Sequence, residues 1–378
     1  MREGWEEVTL GELLSLEYGK ALPAKSRVPG DVTVYGSNGI VGTHNVRLVQ
    51  GPGIVVGRKG TAGSVTWSDS DFFPIDTTYW AKVDRSKLSI EFAFHVLCNS
   101  DLPRLNTQTG VPGLNRENVY RELVALPPLH EQRRIVDLMD SVDAAISAAQ
   151  VELDAAEELR KRVLGHELGS PGEGWEATSI GDAIQVNPKM GKLDASAPFV
   201  TMSDVDEWGT YAYPSGEKGS RGGIRAQGGD VLFARITPCL ENGKIGKLPD
   251  AAPPTGGSTE FIVLRGTEKT TSDFAFLLAQ SDYVHSSAVA LMTGSTGRQR
   301  VAASDVANIP INLPPLHEQC RIVETMNTLD GTVDASRASL DRLRELRSSM
   351  LSVLLSGEHE IPATYDQFLG LSDDERAG

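Results

Sequence analysis

Catalysis by this chain would need one of a few residue patterns, and each is set by what its chemistry requires. A phosphate-binding loop ends in Gly-Lys-Ser/Thr so that the lysine reaches the phosphates. Gly57-Arg58-Lys59-Gly60-Thr61-Ala62-Gly63-Ser64 is glycine-rich but lacks that ending. His130-Glu131 and His317-Glu318 each lack a second histidine four residues on, so neither makes a helical zinc pair, and no Cys-x-x-Cys occurs among Cys98, Cys239 and Cys320. A metal-dependent nuclease of the common type places Asp or Glu two residues before Lys around a metal-bound water, and no such triplet exists. An adenine methyltransferase holds its flipped base with Asn/Asp-Pro-Pro-aromatic, whereas the Pro-Pro pairs here lie in Leu-Pro-Pro-Leu and Ala-Pro-Pro-Thr. A Gly-x-Ser-x-Gly nucleophile elbow is missing too. The expectation is a chain with no catalytic centre and no metal site.

The polar residues that remain suit reading rather than reacting. Ser37, Asn38, Arg58, Lys59, Thr61, Gln108, Thr109 and Asn115 fall in glycine-punctuated loops of the first half. Lys218, Arg221, Arg235, Thr237, Asn242, Lys244, Ser295, Arg298, Gln299 and Arg300 do so in the second. Arginine pairs bidentately with guanine and Asn or Gln with adenine, while Ser, Thr and backbone N–H groups hold phosphates. These residues are the candidate DNA contacts.

Their positions follow a repeat. Leu126-Pro127-Pro128-Leu129-His130-Glu131-Gln132-Arg133-Arg134-Ile135-Val136 returns as Leu313-Pro314-Pro315-Leu316-His317-Glu318-Gln319-Cys320-Arg321-Ile322-Val323, ten of eleven positions identical at an offset of 187. Gly4-Trp5-Glu6 returns as Gly174-Trp175-Glu176 at 170, and Gln50-Gly51 with Arg58 as Gln227-Gly228 with Arg235 at 177. The second copy is therefore longer by insertion. Thr109-Gly110 matches Thr296-Gly297, yet Val111-Pro112-Gly113 becomes Arg298-Gln299-Arg300. A shared frame with different loop residues suits two domains that read two different short sequences.

Short apolar runs such as Gly53-Ile54-Val55-Val56 and Val231-Leu232-Phe233, separated by turn residues, predict strands. Helical stretches at Ile90–Cys98 and Phe274–Ala279 are expected to pack on them. After each Pro-Pro pair an apolar stripe runs through Ile135, Met139, Val142, Ile146, Ala149, Leu153, Ala156, Leu159 and Val163. It returns at Ile322, Met326, Leu329, Val333, Ser336, Leu340, Leu343, Leu346 and Met350. Steps of three and four residues over this length are a coiled-coil signal. Gly165 and Gly357 are expected to end the helices. At the helix starts His130, Glu131, Gln132, His317, Glu318 and Gln319 are read as bonding the free N–H groups of the first turn, with contact to a partner protein as the second reading.

The fold class is therefore α+β: two recognition domains alternating with two long helices that pair as a coiled coil. The divisions are 1–126, 127–168, 169–312 and 313–356, with an acidic tail at 357–378 that has no counterpart in the first copy and is expected to lack fixed structure.

Length and composition agree. The 378 residues are 40% hydrophobic, enough for more than one buried core. Three widely spaced cysteines fit a reducing cytoplasm, and neither a signal peptide nor a membrane-length apolar run is seen. The net charge of −15 argues against a simple basic DNA binder. It is unevenly spread: residues 1–126 carry −1, 127–170 carry −4, 171–312 carry −4 and 313–378 carry −6. Most of the acid thus sits on the helices and tail.

The duplicated Leu-Pro-Pro-Leu-His-Glu-Gln-x-Arg-Ile-Val resembles the DNA-specificity (S) subunit of type I restriction–modification systems. Gly229-Asp230-Val231-Leu232-Phe233-Ala234-Arg235-Ile236-Thr237-Pro238, Glu241-Asn242-Gly243-Lys244 and Tyr35-Gly36-Ser37-Asn38-Gly39-Ile40 are similar to that family as well. The resemblance implies a non-catalytic subunit that reads a split target in double-stranded DNA, its two helices forming an antiparallel coiled coil that holds the recognition domains apart. It also implies two docked methyltransferase (M) subunits and, through them, restriction/translocase (R) subunits. S-adenosylmethionine, ATP and Mg would belong to those partners, and this chain would hold no cofactor. Two rival readings are a coiled-coil scaffold whose globular domains bind protein, and a hydrolase with an unfamiliar site.

Overall fold

Apolar runs too short for helices, bounded by glycine, proline and asparagine, form the strands that build each reading domain. The structure, a computed structural model, describes residues 2, 4–105, 113–215, 222–295 and 297–368. The chain divides into two units, residues 1–150 with 339–378 and residues 151–338.

In the first unit, an antiparallel four-stranded sheet has the order Leu14–Tyr18, Thr78–Val83, Gly53–Gly57, Val65–Ser68. A three-stranded sheet orders Gly39–His44, Val32–Gly36 and Phe72–Pro74, and Glu6–Thr9 pairs with Leu123–Leu126. The second unit repeats the plan. Its four strands are Gln185–Val186, Phe261–Arg265, Val231–Ala234 and Ile245–Lys247, and Glu176–Ser179 pairs with Pro310–Leu313. A hairpin pairs Thr293–Ser295 with Arg298–Arg300. Gly53–Gly57 and Val231–Ala234 are buried along their whole length, which is why these central strands read as unbroken apolar runs.

One helix packs on each four-stranded sheet, Ile90–Asn99 and Ser272–Gln280. Each is N-capped by a hydroxyl: Ser89 Oγ accepts the Phe92 N–H at 3.1 Å and Thr271 Oγ1 the Phe274 N–H at 3.2 Å. The caps are themselves gripped by the repeat. Gln132 Oε1 accepts the Ser89 N–H (2.9 Å), while its Nε2 donates to the carbonyls of Lys87 (2.8 Å) and Pro127 (2.9 Å). Gln319 does the same to the Thr271 N–H (3.1 Å) and the carbonyls of Lys269 (2.7 Å) and Pro314 (2.9 Å). Both glutamines are fully buried.

The long helices run Leu129–Gly169 and Leu316–Leu355, and each contributes to both units. They pair antiparallel. In the first unit Arg347 grips Asp143 and Arg344 donates to Gln150 (3.0 Å). In the second, Arg337 meets Glu157 (2.8 Å), Arg160 meets Asp330 and Arg321 meets Glu167. Arg160–Asp330 and Arg347–Asp143 are the same pair twice, since both members shift by 187.

The stripe slips near each far end. Leu159 and its equivalent Leu346 are about half exposed, while Leu164 and its equivalent Leu351 are buried. Arg160 and Arg347 take the inward-facing positions, as expected when a 3.6-residue helix drifts against a 3.5-residue pattern. Gly165 lies inside the first helix, which continues to Gly169; Gly357, with φ +73°, does end the second. Ser336 is buried in the second stripe.

The described tail residues, 357–368, pack into the first unit instead of lacking fixed structure. Ile361 is buried in the first unit's core beside Trp5, Ile135 and Leu354. Asp366 accepts from Nε and Nη2 of Arg134, each at 2.6 Å, and the Tyr365 hydroxyl donates to Asp137 at 2.7 Å. Few charged pairs in the first unit are as well enclosed.

One core residue sets a pH response. His95 is 3% exposed, its Nδ1 has no hydrogen-bond partner, and Leu277 stands at the equivalent place in the second unit. Burial, with Arg347 nearby, pushes its pKa down to about 4. The unfolded chain, titrating near 6.5, therefore binds the proton first. Stability is full above pH about 6.5 and falls by about 3 kcal/mol as pH drops towards 4. His95→Leu is expected to remove this acid-side loss; urea midpoints that fall equally with pH in both proteins would contradict it.

Candidate nucleic-acid interface

In the first unit, the strands Val32–Gly36 and Gly53–Gly57 end side by side, and this brings Ser37, Asn38, Arg58, Lys59 and Thr61 together. Ser64 Oγ donates to the Ser37 carbonyl at 2.6 Å, and Thr61 Oγ1 reaches Asn38 Oδ1 at 3.4 Å. Asn38, Lys59 and Thr61 are exposed. Arg58 is held between rings, its guanidinium carbon 5.1 Å from the Tyr18 centroid and 5.9 Å from that of Tyr79, with Nη2 donating to the Asp76 carbonyl (2.6 Å). Arg116 lies 5.0 Å from the same Tyr18 ring. Burial beside Tyr18 pushes the Tyr79 phenol up to about 12, so it stays protonated and donates to the Leu114 carbonyl (3.1 Å).

Tyr18 and Arg116 belong to this group though their spacing in sequence gives no hint of it. Asn115 is committed elsewhere: its side chain accepts the Glu117 N–H at 2.9 Å and caps the helix Arg116–Tyr120. Gln108 and Thr109 lie outside the described residues.

The second unit builds its cluster from the loop after Val231–Ala234 and the hairpin Thr293–Ser295 with Arg298–Arg300. The Thr237 N–H donates to the Gln299 carbonyl (3.1 Å), and the Val301 N–H to that of Arg235 (3.0 Å). Arg300 makes a bidentate pair with Glu260 (2.9 and 2.8 Å), which holds that carboxyl below the usual range. Arg298 and Ser295 project from the hairpin, exposed.

One candidate turns inward, Lys244, whose Nζ donates to the carbonyls of Met202 and Val205, each at 3.0 Å; Asn242 stays exposed, its Nδ2 donating to Glu207 Oε1 at 2.8 Å. Lys244 therefore braces the loops instead of offering a free ammonium. Lys218 and Arg221 lie outside the described residues.

Arg58 and Arg235, equivalent at the 177 offset, share a further feature: in each the Nε is buried without a hydrogen-bond partner. The repeat thus places one arginine at the same point of each cluster.

At the helix starts, His130 and His317 are exposed. Glu131 accepts the Trp5 Nε1–H (2.8 Å) and pairs with Arg2, while Glu318 pairs with Arg321. The expected bonding to first-turn N–H groups is replaced by these contacts and by the reach of both glutamines to neighbouring segments. Among the described residues no group of three or more His, Cys, Asp or Glu is placed to hold a metal ion, and no helix is long and apolar enough to cross a membrane.

Comparison with known proteins agrees with this two-copy layout. Residues 2–156 and 172–345 each match the family described as "Type I restriction modification DNA specificity domain". The chain is similar to the EcoEI and EcoAI specificity subunits of Escherichia coli, 30% identical over 207 residues and 29% over 199. Each match takes in 50% of this chain but 34% of the relative. The MjaVIII specificity subunit of Methanocaldococcus jannaschii is 22% identical over 281 residues, covering 66% of this chain and 65% of that protein. In fold, the chain resembles the S subunit from M. genitalium (TM-score 0.57, 15% identity, 95% of this chain and 97% of that one). A chain from a solved type I restriction–modification assembly gives a TM-score of 0.60 at 17% identity, covering 94% of this chain and 98% of that one.

Proposed function

The chain belongs to the family of type I restriction–modification DNA-specificity domains, and from that premise we propose that it is the subunit which chooses where such a complex acts. It reads a two-part target in double-stranded DNA and performs no reaction itself. The observation that carries this is the pair of matched scaffolds: the same four-stranded sheet, capped helix and arginine recur, while the exposed residues around them differ. A shared frame with divergent tips suits two unlike half-sites.

Two methyltransferase subunits dock on it, and restriction/translocase subunits join through them. The exposed His130 and His317, at matching positions beside the buried glutamines, are the contacts we assign to that docking. S-adenosylmethionine is held by the methyltransferases, and ATP and Mg by the translocase. Work in the cytoplasm fits the three unpaired cysteines. With most of the acid on helices and tail, the subunit alone binds DNA weakly, and its partners supply the cationic surface.

The test is co-expression with a cognate methyltransferase followed by mapping of methylated adenines. Exchanging residues 1–126 for those of another family member is expected to change one half-site and leave the other intact. Changes in both halves would contradict the modular reading. A co-expressed complex without sequence preference would favour the protein-binding scaffold.

A further inference from the structure

The stretch between strands Phe199–Val200 and Ile224–Ala226 is longer than the matching stretch of the first copy, since the repeat offset grows from 170 at Trp5 to 177 at Gln50. It presents three aromatic side chains to solvent, Trp208 (47% exposed), Tyr211 (44%) and Tyr213 (64%). Trp208 also has φ +56°, a backbone conformation that costs about 1–3 kcal/mol for a bulky residue and collects at working sites.

The indole is fixed, not loose. The Trp208 backbone N–H donates to the Gly243 carbonyl at 2.9 Å, and the ring edge meets His285 at a centroid distance of 4.8 Å. The ring lies flat over Gly243, where a Cβ would stand 2.3–2.7 Å from three ring atoms, so only glycine (φ +71°) fits. His285 is itself anchored, Nε2 to the Leu240 carbonyl at 2.7 Å. Lys244 ties the carbonyls of Met202 and Val205 to the same loop. This loop follows the central strand and carries Arg235 and Thr237, so the indole is part of the reading cluster's rigid frame.

Asn242 stands next to it. Its amide nitrogen donates to Glu207 Oε1 at 2.8 Å, which fixes the flip of the amide and leaves Oδ1 and the second N–H for another partner. An acceptor and a donor on one amide match the N6 and N7 edge of adenine, and a flat apolar face beside it matches a thymine C5-methyl group. An intercalating wedge would need a protruding side chain free to enter the stack; this one is pinned on two sides.

Resting on the DNA-reading function proposed above, we infer that Trp208 and Asn242 together read an A·T step in the half-site of the second unit. Asn242 takes the adenine edge, the Trp208 face covers a thymine methyl group, and Glu207 is a positioning residue for the amide.

The experiment uses the full chain in complex with its methyltransferase. Duplexes carry deoxyuridine in place of each thymine of the mapped target in turn, which deletes one methyl group at a time. One substitution in one half-site is expected to weaken wild-type binding roughly fivefold and to have no effect on Trp208→Ala. Asn242→Ala should relax an adenine at or next to that position, and Glu207→Gln should relax it less. Wild-type binding indifferent to every deoxyuridine, or an equal response in wild type and Trp208→Ala, overturns the inference. Should Trp208→Ala not fold, Trp208→Phe and the wild-type deoxyuridine series decide. Failure of the DNA-reading function itself would look different: the wild-type complex would show no target preference at all.

Discussion

Gln319→Leu is expected to lower the unfolding free energy of the second unit by about 3–5 kcal/mol, and Gln132→Leu to do the same to the first. Leucine fills nearly the same volume, so the loss comes from polar groups and not from a cavity. Removing the amide of Gln319 strands the Thr271 N–H and the carbonyls of Lys269 and Pro314. Each buried group left unsatisfied costs about 1–3 kcal/mol, and water reaches the less enclosed ones. Domains are typically stable by only about 5–15 kcal/mol, so the change is a large share of the total. Because Thr271 caps Ser272–Gln280, amide exchange should quicken first at that helix's start. Urea melts of either variant within about 1 kcal/mol of wild type would contradict this account.

These glutamines mark what the sequence makes legible. The duplicated helix-start motif, the central strands and the capped helices follow from local pattern, because apolar runs, Pro-Pro breaks and hydroxyl caps act over a few residues. Arg58 and Arg235 follow from the repeat itself. Side-chain destination does not. Lys244, Arg300 and Asn115 have the residue types of DNA readers, but a carbonyl pair, Glu260 and a helix N-terminus respectively engage them. Gln132 and Gln319 looked like first-turn caps and instead reach segments more than forty residues away. Trp208 had no signal, since the matching stretch of the first copy, residues 37–49, has no tryptophan to set it against. The slip at Leu159 and Leu346 shows the same limit inside a periodic element: the period fixes that one face is buried, and ion pairing by Arg160 and Arg347 decides where the seam runs.

Ending the chain after Gly357 is expected to destabilise the first unit by about 2–4 kcal/mol and leave the second untouched. Arg134 shows why. Its side chain is 10% exposed and its Nε and Nη2 both donate to Asp366, whereas the equivalent Arg321 finds Glu167 and Glu318 on the long helices. Truncation would leave the Arg134 charge partly enclosed with its bidentate partner gone, a loss of about 3–5 kcal/mol for a fully buried pair and less for one with some access to water. Losing Ile361 from the core adds about 2 kcal/mol, and releasing the tail's backbone and side chains returns entropy that offsets part of both. The charge can be isolated with Arg134→Met: truncation in that background should cost clearly less than in wild type, because no cation is left stranded. Equal costs in the two backgrounds would assign the tail's effect to packing alone, and equal losses in both units would contradict a contact confined to the first.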